Sequence, residues 1–420
     1  VDAIDGSSGL ASNYQLPTLD SSNAPVTISM KTIELSANRI YDGSHDLLGV
    51  DVTITTGIGS ESLTHTGSTS SSKDVATANK YINAITLTDA TDGSGGLASN
   101  YELPNLDAIG APVTIQAKPV SLSAERTYDG SVNLSGSVTI LTGIGTENLS
   151  YQDATSSSKD VAITNKFIDA ITLKNATDMS GGLASNYMLP TLDASNAPVT
   201  INPKTVGLSA NRTYDGTVNL LGSDVTISTG VGIENLTHFG TTSSSKDVAV
   251  ANNVINSITL SDAIDSSGGL AANYQLPILD YANAPVSIMA KTIVLSANRI
   301  YDGTNDLIDD DVTITTGVGS ETLTHSGTKS SSKDAAVANK FVNAITLTDA
   351  TDGSGGLSTN YKLPNFDSIN TPVTINPRTV GLFANRTYDG SLDLIGEDVT
   401  IITGVEGETL THTVTTSSSK

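Results

Sequence analysis

Arg39-Ile40-Tyr41-Asp42-Gly43 contains the tripeptide from which the whole chain is read, Tyr-Asp-Gly. Aspartate hydrogen-bonds nearby backbone and glycine accepts φ > 0, so the tripeptide predicts a tight turn whose tyrosine packs its ring and offers a hydroxyl. The turn returns at Tyr128-Asp129-Gly130, Tyr214-Asp215-Gly216, Tyr301-Asp302-Gly303 and Tyr388-Asp389-Gly390, at spacings of 87, 86, 87 and 87 residues. Arg39, Arg126, Arg212, Arg299 and Arg386 each stand two residues ahead of the tyrosine, which predicts a local Arg–Asp pair.

Two further markers keep the same register. Asn-Tyr-x-Leu-Pro recurs with its tyrosines at Tyr14, Tyr101, Tyr187, Tyr274 and Tyr361, preceded by asparagines such as Asn100 and Asn186. Ser-Ser-Ser-Lys ends at Lys73, Lys159, Lys246, Lys333 and Lys420. Markers that agree in period define a tandem array of one small module. Complete copies span residues 31–117, 118–203, 204–290 and 291–377; residues 1–30 are the closing part of a copy and 378–420 the opening part of another. Val1 aligns with Thr348 and Lys420 with Lys333, so the two partial copies are complementary and lack only the counterpart of residues 334–347. This reads as a window on a longer array, with head-to-tail joining of chain ends as the sharper option.

Within a copy the pattern is of strands and turns. Thr32-Ile33-Glu34-Leu35-Ser36 and Asp51-Val52-Thr53-Ile54-Thr55-Thr56 alternate apolar and polar residues, the period of half-buried strands. Ser62-Leu63-Thr64-His65-Thr66, the run from Lys80 to Thr88, Asn100 to Pro104 and Ala111 to Gln116 supply the remaining strands, with a Ser/Thr-rich loop up to Lys73. No stretch carries a 3.6-residue apolar stripe. The expected fold is all-β, a tandem array of small immunoglobulin-like β-sandwich modules. Pro119, Pro203 and Pro377 stiffen junctions that have no Gly/Ser spacer, so the modules should stand end to end as a rod. Strands of about ten residues at ~3.3 Å per residue, plus turns, give roughly 35–45 Å per copy.

The chain has 44 acidic against 21 basic residues and a net charge of −23. Without basic clusters it is not expected to bind nucleic acid or anionic membranes. No segment reaches the ~18–20 apolar residues of a membrane-spanning helix, so no membrane insertion is expected. The absence of cysteine excludes disulfides and thiolate metal sites.

The order Tyr41-Asp42-Gly43, then Lys73-Asp74-Val75 with Lys80, then Gly96-Leu97-Ala98-Ser99-Asn100-Tyr101-Glu102-Leu103 resembles the YDG-type repeats of very large secreted bacterial adhesins. Those are filamentous-haemagglutinin-like surface proteins of Gram-negative bacteria. The resemblance implies an all-β stalk or fibre segment at the bacterial cell surface and brings no catalytic residues.

Other candidates read as structural. Asp89-Ala90-Thr91-Asp92-Gly93-Ser94-Gly95 superficially resembles a calcium loop, but its counterpart Asn175-Ala176-Thr177-Asp178-Met179 loses a carboxylate, so no cofactor is expected and calcium is a minor option. His65, His238, His325 and His412 share a position that Tyr151 takes in another copy, which suits packing better than ligation or catalysis. The Ser-Ser-Ser-Lys runs would need a buried lysine of lowered pKa to act as nucleophile machinery, and no enzyme is expected. Lys73 with Asp74, Asn79 and Asn100 supplies the residue types of an intramolecular Lys–Asn isopeptide bond. The expected role is a non-catalytic stalk or fibre that continues into a longer array or self-associates along a fibre through exposed strand edges. The alternative is a multivalent array of weak glycan- or surface-binding units, which the absence of tryptophan and an aromatic content of 4% disfavour.

Overall fold

The computed structural model describes residues 2–413 and 415–419. Val1 and Lys420, which set the alignment of the two partial copies, lie outside the described residues. The chain forms two compact units, Val1–Asn202 and Pro203–Lys420, divided within one residue of the repeat boundary at 203/204. Among the described residues the structure is nearly all-β, and its only helical pieces are three-residue 3-10 turns.

In the first unit the copy at 31–117 contains β1 (Lys31–Thr32), β2 (Glu34–Ile40), β3 (Val52–Thr55), β4 (Thr64–Ser70), β5 (Ile82–Thr88), β6 (Tyr101–Glu102) and β7 (Val113–Gln116). β2 is central: it pairs antiparallel with β3 (Ala37 opposite Val52) and parallel with β7 (Ala37 opposite Val113). β1 pairs in parallel with β6, Lys31 opposite Tyr101. β4 and β5 form an antiparallel hairpin, His65 opposite Leu87. The hairpin is tied to the strands around it by bridges at Asp46–Thr69 and Tyr81–Pro112. Ile82 N donates to Ala111 O (2.9 Å) and Val113 N to Lys80 O (3.0 Å), so β7 is held between β2 and the start of β5.

The sidedness of β2 follows its sequence. Leu35, Ala37 and Arg39 alternate inward, and Ile33, Leu47, Leu63, Ile82, Val113 and Ile115 complete the core. Full burial of side chains such as Leu35 or Ile82 stabilises by about 1.5–3 kcal/mol each. Residues 67–70, read from sequence as loop, continue β4 instead. Gly67, at φ 61°, makes the bulge that shifts the register between Thr66 and Thr69 and lets the polar run stay paired. The copy at 118–203 repeats the element order, from Lys118–Pro119 to Val199–Asn202.

The second unit repeats it again in residues 204–290 and 291–377. There Gly207–Thr213 and Val294–Ile300 take the place of β2 and pair in parallel with Val286–Met289 and Val373–Asn376. Among the described residues of 378–419, Gly381–Ala384 pairs with Val399–Ile402, and Asp393–Leu394 with Thr415–Thr416.

Candidate functional site

Each Tyr-Asp-Gly tripeptide forms the expected turn. Asp42, Asp129, Asp215, Asp302 and Asp389 accept through Oδ1 from the backbone N–H two residues on, each at 2.9 Å. Gly43, Gly130, Gly216, Gly303 and Gly390 lie at φ 82–89°. The arginine of β2 turns inward beneath the loop. Arg39 pairs with Asp42 (3.2 Å) and donates to the Asp46 and Ser44 carbonyls; Arg126 pairs with Asp129 (2.7 Å) and donates to Asn133 O (2.7 Å). Arg212, Arg299 and Arg386 make the same pairing with Asp215, Asp302 and Asp389. A buried guanidinium thus satisfies carbonyls that the loop itself leaves open.

The tyrosine of the turn leaves its own copy. In the first unit Tyr41, only 1% exposed, donates its hydroxyl to Glu147 Oε1 in the following copy (2.8 Å). Tyr187, the tyrosine of that copy's Asn-Tyr-x-Leu-Pro, donates to Glu147 Oε2 (2.7 Å). The two rings meet edge to face, with centroids 5.4 Å apart and planes at 79°. Lys73, from the Ser-Ser-Ser-Lys run, lies 3.6 Å from the same carboxylate. Asn186 completes the contact: its side chain accepts from Val75 N (2.8 Å) and donates to Asp74 (2.8 Å). Gly43 is required twice, by its positive φ and because a Cβ there would stand 2.7 Å from Ile144 Cγ2. The three sequence markers therefore converge on one carboxylate at the joint between copies.

The second unit contains the same assembly. Tyr214 and Tyr361 donate to Glu321 at 2.7 and 2.6 Å, their rings 5.4 Å apart at 80°. Lys246 reaches Glu321 at 3.1 Å, and Asn360 binds Val248 N and Asp247, both at 2.8 Å. Further along, Tyr301 donates to Glu408 and Lys333 lies 3.4 Å from it, with no Asn-Tyr-x-Leu-Pro segment following in residues 378–419. Tyr388 is 76% exposed.

Burial and the Glu147 carboxylate push Tyr41 and Tyr187 well above the ordinary phenol range, and burial and Glu321 do the same to Tyr361. Burial raises the Glu321 carboxyl, but hydrogen bonds from Tyr361, Tyr214 and Lys246 outweigh it and leave the pKa below its ordinary value. Lys246 is raised, first by its hydrogen bond to Glu321, which keeps it protonated. In the second unit the joint is thus a largely enclosed carboxylate, Glu321, held charged by two phenols and an ammonium.

The remaining residues are placed more simply. Tyr101 donates to Glu61 within its own copy (2.5 Å), while Asn100 is exposed at the end of a 3-10 turn. Lys73 pairs with Glu147 rather than with Asn79 or Asn100, and Asn79 sits at φ 54°. In the acidic loop Asp89 accepts from Ala98 N (2.8 Å), and Asp92 accepts from Ser94 N (3.0 Å) and the Ser62 hydroxyl (2.8 Å). Those bonds, led by the Ser94 amide, lower Asp92 to about 2. His65, His238 and His325 contact hydroxyls three residues on through Nδ1, at 2.5, 2.6 and 2.6 Å. In the copy with Tyr151, the tyrosine hydroxyl instead accepts from Val138 N (3.1 Å) and donates to Leu134 O (3.0 Å).

Sequence reasoning missed the glutamate. Glu61, Glu147, Glu234, Glu321 and Glu408 occupy one register position, and that regularity was the available signal. No family model, curated protein or solved structure matches the chain.

Proposed function

We propose that the chain is a non-catalytic structural repeat region, the stalk or fibre segment of an extracellular bacterial surface adhesin, in which small β-sandwich modules stand in tandem as a stiff rod. The observation that carries this reading is the recurrent joint: Tyr41–Glu147–Tyr187 and Tyr214–Glu321–Tyr361 repeat the same hydrogen bonds in the two units. A freely hinged array needs no buried charged contact between copies, whereas a stiff one needs contacts that fix orientation. Directional bonds to one carboxylate do that, because a rotation at the joint leaves a buried anion or two buried phenols unsatisfied. The resemblance of the motif order to the YDG-type adhesin repeats points the same way.

Rotary-shadowed or negative-stain electron microscopy of the purified chain tests the proposal. Straight particles of uniform width, with a length set by the number of copies, are the expected result. Bent beads-on-a-string or globular particles would overturn it. Saturable binding to an immobilised glycan panel by a single pair of copies would favour the multivalent binding reading.

A further inference from the structure

The complete copy at 204–290 carries a change that the other complete copies do not. Lys80, Lys166 and Lys340 stand just ahead of β5 and its counterparts, and Asn253 takes their place. Each lysine folds back over its own loop and gives its ammonium to two backbone carbonyls. Lys80 donates to Val75 O (3.0 Å) and Thr77 O (2.6 Å), Lys166 to Val161 O (3.1 Å) and Ile163 O, and Lys340 to Ala335 O (3.1 Å) and Val337 O (2.6 Å). Burial lowers the pKa of Lys166, and the charge of Asp160 acts against that. Asn253 is shorter and turns toward the serine run instead: it accepts from the Ser244 hydroxyl (2.7 Å) and Ser245 N (3.0 Å) and donates to Ser245 O (3.0 Å). The loop backbone keeps its form all the same, with Asn252 at φ 57° beside 54°, 56° and 56° for Asn79, Asn165 and Asn339. The Val248 and Val250 carbonyls therefore stay where their counterparts are, without the lysine that caps those counterparts. A cleft of about 490 Å³ opens at this loop, lined by Asp247, Val248, Val250, Asn253 and Tyr281 among others. Tyr281 is 56% exposed and stands where the other complete copies have Ala108, Ala194 and Ser368.

We propose that this cleft binds a primary alkylammonium group, seated where the lysine ammonium sits in the other complete copies. An ammonium carries three N–H donors and no acceptor, which suits a pair of converging carbonyls. Val248 O and Val250 O take two of the donors. Asp247, one oxygen of which already accepts from Asn360, supplies the counter-charge. Val250, 45% exposed, and the Tyr281 ring offer apolar surface to the methylenes, and the ring face also attracts a cation. Two sources present this chemistry: a free diamine, and a lysine side chain projecting from another protein. The proposal goes beyond the stalk reading and fails separately from it, because a stiff rod needs no ligand in this cleft.

Saturation-transfer NMR of n-butylammonium, which reproduces the lysine side chain from Cβ outward, against the full 420-residue chain is the test. Saturable binding with a Kd on the order of 1 mM is expected of so small a ligand. Asn253→Lys, which restores the chain's own ammonium, should weaken binding at least about tenfold, the cost of one lost anchoring contact, and should melt no lower than wild type. Tyr281→Ala, an exposed change that leaves the fold intact, should weaken it about two- to fivefold. n-Butyltrimethylammonium, with the same charge and no N–H, should not compete. Cadaverine and Nα-acetyl-lysine methylamide are titrated in parallel: tighter binding of the first identifies a free amine as the ligand, tighter binding of the second a protein-borne lysine. Absence of saturable binding overturns the proposal, as does binding indifferent to Asn253→Lys or equal competition by the trimethylammonium compound.

Discussion

Replacing Glu321 with alanine should destabilise the second unit far more than a surface glutamate substitution. The carboxylate accepts from Tyr214 at 2.7 Å and Tyr361 at 2.6 Å. Hydrogen bonds to a charged acceptor contribute about 1.5–3 kcal/mol each, and truncation also strands two buried hydroxyls. Lys246 adds little, because its side chain is 36% exposed and solvent screens the pair to below about 1 kcal/mol. The phenols share one acceptor, so their losses are not additive, and the expected total is about 3–5 kcal/mol. For a unit of roughly 200 residues that corresponds to a fall in Tm of about 6–20 °C. Far-UV circular dichroism of Glu321→Ala, with Glu397→Ala as an exposed control expected within about 0.5 kcal/mol, provides the assay. Acid adds a second check. Because Glu321 has a lowered pKa in the folded state, its contribution is complete above the unfolded value of about 4.3 and is lost as pH falls through the folded pKa. The gap between wild type and Glu321→Ala should therefore narrow in that range. Equal shifts for Glu321→Ala and Glu397→Ala, or a gap unchanged at acid pH, would refute the account of the joint.

Alkali should act through the phenols. Tyr41, Tyr187 and Tyr361 are raised in the folded state, so their stabilisation is complete below the unfolded value of about 10 and is lost as pH rises through their folded pKa values. An ultraviolet tyrosinate titration should show a late group ionising together with unfolding; simultaneous ionisation near pH 10 with the fold intact would contradict this. Gly269→Ala should cost several kcal/mol, about the size of the largest single-site effects, because its Cβ would fall 1.9 Å from the Asn235 carbonyl oxygen. Gly222→Ala, with open space around it, should be nearly silent in the same urea melt. His238 is lowered by burial, so its contribution is present above about pH 6.5 and is lost as pH falls through its folded pKa. His238→Tyr, which copies the Tyr151 arrangement, should fold and flatten stability between pH 7 and 5; an unchanged pH profile would count against it.

Local chemistry was legible in the sequence and long-range pairing was not. The Asp-Gly turn and the Arg39–Asp42 pair depend on neighbours a few residues apart, and both stood out in the residue order. The parallel pairings of β1 with β6 and β2 with β7 join residues 70 and 76 positions apart, and alternation alone does not specify direction. The β4 extension through Gly67 was hidden because serine and threonine runs resemble loops until a bulge realigns them. Glu147 was overlooked for another reason. A lone glutamate in a Gly-rich loop usually belongs to solvent, and only the two tyrosines brought from either side of the joint make it buried. Tyr41 and Tyr187 each read as packing residues, but their meeting required the next copy to be in place.

The division of the joint between consecutive copies has a consequence for how such a chain can change over generations. The tyrosine and lysine come from one copy, the glutamate and the Asn-Tyr pair from the next, and every complete copy carries both sets. Excising or duplicating one whole period therefore joins a donor half to an acceptor half of the same chemistry, and no contact has to be reinvented. A deletion out of phase with the period would instead strand a buried carboxylate or a phenol. Recombination between homologous copies should thus alter the number of modules in whole steps while the joint chemistry is inherited intact.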